Sequence, residues 1–260
     1  MPSDRAARRA ILAVSALLVA AGAAVTVLCC RSMGASDGMP MPGGWTMSMT
    51  WMRMPGQSWP GAAASFLGMW VAMMVAMMLP SLVPVLWRYR ELAGASGEAC
   101  PGRLTALVGL GYFFVWILIG FAVFALGGVV AAIEMRRPEL ASLVPIAAAV
   151  VVLAAGSLQL TAWKARHLAC WREEPRHGGA SPAAAGAAWR EGLRLGLHCG
   201  VHGSGPMAVL LVAGIMDLGA MAVVTVALTA ERLAPAGERV ARATGLVAIG
   251  AGLLLIARMP

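Results

Sequence analysis

Apolar positions run together along most of this chain instead of alternating with polar ones. Uncharged, predominantly apolar stretches cover residues 10 to 30, 61 to 87, 104 to 133 and 140 to 163. Each reaches or exceeds the roughly 20 residues a helix needs to cross about 30 Å of hydrocarbon. The pattern therefore predicts an all-α protein, a polytopic bundle of transmembrane helices in contact with a lipid bilayer on most of its surface. The segment 196 to 230 reads either as one long helix or as a hairpin of two short ones turning near Asp217, and a last helix is expected near 243 to 257. The hairpin keeps Arg232, Arg239 and Arg242 on the same side as most other arginines. Seven spans are therefore favoured, with six as the alternative.

Polar residues fall between these runs and set the topology. Arg5, Arg8 and Arg9 precede the first run, so the positive-inside rule holds the N-terminus in the cytoplasm. A cleaved signal peptide is the competing reading, but the apolar stretch exceeds the usual core of about 7–15 residues. Alternation then puts 31 to 60 outside, 88 to 103 inside, 134 to 139 outside and 164 to 195 inside. Trp59 and Trp87 bracket the second run at the depth where tryptophan is enriched. The chain 1–260 reads as a single integral membrane domain: an N-terminal helix 10–30, a methionine-rich external loop 31–60 and a core 60–255. Both long loops, 31 to 60 and 164 to 195, read as irregular.

Composition agrees, with 60% hydrophobic and 12% charged side chains. The net charge of +8 comes from arginines in short loops, not from one basic face. That placement argues against nucleic acid as a partner. An enzyme is not expected either, because the chain has no phosphate-binding glycine loop, nucleophile elbow or His-Glu zinc-protease pattern.

The candidate chemistry is sulfur. Of 18 methionines, seven lie in the external loop (Met33, Met39, Met41, Met47, Met49, Met52 and Met54). Five more, Met69, Met73, Met74, Met77 and Met78, form two adjacent stripes on the second helix. Thioether is a soft ligand that selects Cu(I), although methionine is also an ordinary filler of packing gaps. Pro80 and Pro84 are expected to break that helix, and Gly203-Ser204-Gly205-Pro206 the fifth.

His167-x-x-Cys170 closes the fourth helix and Cys199-x-x-His202 opens the fifth. In antiparallel helices this mirrored order sets Cys170 opposite Cys199 and His167 opposite His202, so that all four can converge on one metal ion; chance pairing of scarce residues is the competing reading. Two thiolates and two imidazoles also suit zinc, and the methionines favour Cu(I). His198 and His177 are read as bystanders. Asp217 is an intramembrane acid or, in the hairpin, a hydrated turn residue.

The stretch Met69 to Pro80, the segment Gln159 to Arg172 with Lys164 and Cys170, and Gly196-x-x-Cys199 leading to Met207 and Gly214-Ile215-Met216-Asp217 resemble a family of bacterial predicted metal-binding integral membrane proteins. The resemblance spans about residues 60 to 255. That family includes membrane copper chaperones associated with tyrosinase maturation, and so implies delivery of copper to a partner enzyme from the bacterial inner membrane; a metal-ion transporter and a metal-free structural or assembly subunit are the alternative readings. Where that family tends to carry cysteine, this chain has His167 and His202, which keeps a donor atom each time and makes the site harder.

Overall fold

The computed structural model describes residues 2–34, 39–41, 45–47, 51, 53, 56–95, 100–173 and 184–258; for 2–4, 33, 34, 40, 138, 167 and 169–173 it describes the backbone alone. The described residues form a helical bundle with one small ribbon. In order come α1 (Pro2–Gly34), β1 (Met39–Met41), β2 (Trp45–Met47), α2 (Trp59–Ala95), α3 (Pro101–Arg136), α4 (Pro138–Ala141), α5 (Val144–Gln159), α6 (Ala162–Glu173), α7 (Ala185–Ala213), α8 (Leu218–Leu233) and α9 (Gly237–Ala257). Among the described residues six helices are long and apolar enough to cross a membrane: α1, α2, α3, α4 with α5, α7 and α9. The expected hairpin supplies the seventh apolar element, α8, which has 16 residues.

Local chemistry sets the boundaries. Gly214 at φ 109 ends α7 in a conformation that favours glycine. Asp217 caps α8, its carboxylate accepting from the backbone N–H of Gly219 and Ala220 at 2.8 and 3.0 Å. Asp217 is exposed, a turn residue as the hairpin requires. Pro101 stands in the first turn of α3, where its missing N–H costs nothing.

Neither expected break occurs. α2 continues through Pro80 and Pro84, and α7 through Pro206. Neighbouring helices hold the backbone on line, which is how proline is tolerated in apolar helices. Gly205, read as part of a break, is a contact point: a Cβ there would stand 3.3 Å from the Ala155 carbonyl oxygen of α5. The two long loops also differ from expectation. The first contains the antiparallel β1–β2 ribbon, with Met39 paired to Met47. In the second, α6 is helical, and so is the start of α7, where Ala185, Ala187 and Ala188 have high helix propensity.

α2 is the central helix, packed against α1, α3 and α8. It runs antiparallel to α3, with Phe66 on Phe124 (5.2 Å between rings) and the Trp70 indole donating to the Trp116 carbonyl at 2.8 Å. α3 and α7 run parallel and very close. Gly111 meets Trp189 and Gly192, and Gly196 meets Tyr112 and Val115. One end of the bundle, here the cap, carries the ribbon, α4 and the α7–α8 turn; Trp45 ties the ribbon to α4 by donating to the Ala141 carbonyl at 2.9 Å. The other, basal end carries the start of α1 and Arg88, Arg90, Arg103, Arg190 and Arg194.

A Cβ on Gly192 would collide with the Val108 carbonyl and the Gly111 Cα. Gly192→Ala is therefore expected to lower stability by about 1–3 kcal/mol, the usual range for overpacking. Unfolding of the detergent-solubilised protein measures it. A neutral outcome would mean that α3 and α7 are not held at this separation.

Candidate metal centre

Gly192, Gly196, Cys199 and Gly203 lie on one stripe of α7, spaced four, three and four residues apart. Gly192 and Gly196 let the α3 backbone approach, Gly203 faces Arg232 and Leu228 of α8, and the one side chain left on the stripe, Cys199, is fully buried. Three helices deliver its neighbours. The Tyr112 hydroxyl of α3 donates to Cys199 Sγ at 2.8 Å. Arg232 Nη2, from the last turn of α8, donates to the same sulfur at 2.9 Å. Met78 Sδ of α2 lies 3.9 Å away. Arg232 is held in place by its other nitrogen, which donates to Ser81 Oγ at 2.8 Å and lies 3.8 Å from Met78 Sδ.

Next to this sulfur pair lies a buried charge pair. Lys164 Nζ of α6 is 3.0 Å from Glu231 Oε2 of α8, their side chains 2% and 0% exposed. Glu231 Oε1 accepts from Gln159 Nε2 at 2.6 Å and from Thr244 Oγ1 at 2.9 Å. Lys164 also donates to the His202 carbonyl at 2.9 Å. Five helices, α5 to α9, are thereby tied at one level. Because Glu231 and Arg232 are neighbours, anchoring the first fixes the turn that aims the second at Cys199.

The site residues expected from the sequence fall into three groups. Met69, Met73, Met74, Met77 and Met78 are all buried on α2, inside the bundle. Cys199 and His202 are both buried on α7. Cys199 stands fourteen residues into that helix and not at its start, because α7 begins at Ala185. The side chains of His167 and Cys170 lie outside the described residues, as do His177 and Met49, Met52 and Met54 of the external loop. The sulfur beside Cys199 among the described residues is thus a methionine of the ladder. Among the described residues no three of His, Cys, Asp and Glu gather as a metal-holding group.

The sequence pattern does not single out Tyr112, Ser81 or Glu231, nor the part Arg232 plays. Arg232 reads in the sequence as a loop charge marking the cytoplasmic side, yet it is buried beside the sulfurs. One signal was available. Glu231-Arg232 is an adjacent acid and base at the end of an apolar run, where buried charges require partners.

A second sulfur contact lies at the cap. Cys30 Sγ of α1 is 3.7 Å from Met216 Sδ in the α7–α8 turn.

The described residues form a helical bundle with six helices long and apolar enough to span a membrane, in which a buried pair of sulfurs lies beside a buried charge network. Comparison with known proteins makes this more specific. The chain belongs to the PpoB2 family of copper chaperones, whose family model matches residues 67–255, from α2 to α9. No curated protein and no solved structure matches it.

Proposed function

We propose that this protein is an integral membrane Cu(I) chaperone that holds the ion at Cys199 and Met78 and hands it to a copper-accepting partner enzyme. The observation that carries the reading is the 3.9 Å separation of two buried sulfurs. With a metal–sulfur bond of about 2.3 Å, two sulfurs sharing one ion lie roughly 3.7 Å apart at a tetrahedral angle and 4.6 Å apart when linear. A thiol and a thioether are both soft donors, the set that prefers Cu(I) to zinc. His202, one turn along α7, and His167 and Cys170 on α6 are the further donors of this proposed site. Arg232 and Tyr112 hold the Cys199 sulfur in position until the ion arrives. Met69, Met73, Met74 and Met77 continue the sulfurs along α2 toward the cap, covering about 13 Å from Met69 to Met78.

The membrane is the bacterial cytoplasmic membrane, with the N-terminus in the cytoplasm. Arg5, Arg8, Arg9, Arg88, Arg90, Arg103, Arg190 and Arg194 share the basal end, which supports that orientation. The cap then faces outward.

Elemental analysis of full-length protein purified in detergent from copper-supplemented cells tests the reading. Copper at least equimolar with protein, and in excess over zinc, is expected; a zinc-only or metal-free protein overturns it. Met73→Leu with Met77→Leu preserves side-chain volume. It is expected to slow release of bound Cu(I) to a chelator several-fold while leaving thermal stability near wild type. Equal losses of rate and stability would assign these methionines to packing.

A further inference from the structure

We propose that Cys29, Cys30 and Met216 form a second Cu(I) site at the cap, where ions enter before moving down the methionine ladder to Cys199. The inference rests on the copper reading above and adds to it an entry point and a direction of transfer.

Two segments 186 residues apart in sequence build the site. α1 presents adjacent thiols in its last turns, Cys30 buried and Cys29 half-buried against the same cluster. Met216 stands in the tight turn between Gly214 and the cap residue Asp217, so its backbone is fixed at both sides. The Cys30 to Met216 separation of 3.7 Å corresponds to two metal–sulfur bonds of about 2.3 Å meeting near the tetrahedral angle. Cys29, the next residue on α1, adds a second thiol packed against the same cluster. Three soft donors suit Cu(I) and exclude hard cations.

The surroundings supply continuity. Met69 of α2 and Met221 of α8 are buried in the same cluster as Cys30. Below them follow Met73, Met74, Met77 and Met78, and then Cys199. Sulfur is thus available at each turn from the cap to the central pair, and Cu(I) can pass by ligand exchange with no change in oxidation state. The two cysteines belong to α1, outside the family-matched residues 67–255. The cap site is therefore built by joining the N-terminal helix of this chain to the family core.

The test is an anaerobic Cu(I) titration of the full-length, detergent-purified protein against bicinchoninate, with circular dichroism confirming the fold of each variant. Wild type is expected to withhold two ions from the chelator. Cys29→Ser with Cys30→Ser is expected to withhold one, and Cys199→Ser also one. Met216→Leu, which conserves volume, is expected to weaken one of the two ions about 10-fold or more. If wild type withholds a single ion, lost in Cys199→Ser and unchanged in the α1 and Met216 variants, the cap site is refuted while the chaperone reading stands. If Cu(I) is bound by none of these proteins, the chaperone reading itself fails.

Discussion

Cys199→Ser, made in the Cys29→Ser, Cys30→Ser background so that a single site is observed, is expected to lower Cu(I) affinity by at least about 100-fold. Changes in groups that merely support metal ligands already cost roughly 10–100-fold, and this one removes the thiolate. The serine hydroxyl is smaller and hard, but it still accepts from Tyr112 and Arg232, which donate to this position at 2.8 and 2.9 Å. The fold is therefore expected to survive. Zinc affinity should fall less than Cu(I) affinity, since oxygen is an acceptable zinc ligand. Met78→Leu is expected to cost roughly 10–100-fold for Cu(I) and to leave zinc nearly unchanged, because thioether contributes little to a borderline ion. Competition with a chromogenic Cu(I) chelator measures both. Wild-type affinity in the Cys199→Ser protein would remove the central pair as the site.

The second large effect concerns the fold that holds the site. Glu231→Ala leaves Lys164 buried without its carboxylate and removes the acceptor of Gln159 and Thr244. Loss of one member of a buried ion pair costs about 3–5 kcal/mol. The same change frees the last turn of α8, so Arg232 loses its fixed aim at Cys199, and Cu(I) release should become faster. Removing both charges, with Glu231→Leu and Lys164→Met, is expected to restore much of the stability, because the penalty lies in the orphaned charge and not in the missing attraction. Unfolding of wild type, Glu231→Leu, Lys164→Met and the double variant in mixed detergent reads the coupling directly. If the double variant is as unstable as the sum of the singles, Lys164 and Glu231 act independently, and the network does not position Arg232.

The sequence by itself determined the helical class, the length of the apolar elements and the hairpin turn at Asp217. These follow from local rules: an apolar run of sufficient length is a helix in lipid, and glycine followed by a capping acid ends one helix and starts the next. It also marked the methionines of α2, since their spacing along one helix is fixed by its pitch, and it marked Cys199 as scarce and well placed. The tertiary structure decided which sulfur lies beside Cys199. Met78 arrives from a helix 121 residues earlier in the chain, with α2 and α7 both packed against α3, the latter through Gly192 and Gly196. Glycine spacing in one helix does not name the partner helix. Arg232 illustrates the same limit from the side of charge. Near the end of an apolar run it reads as a topology mark, and only the packing of α8 between α2 and α7 turns it inward, where Ser81 and Cys199 satisfy it.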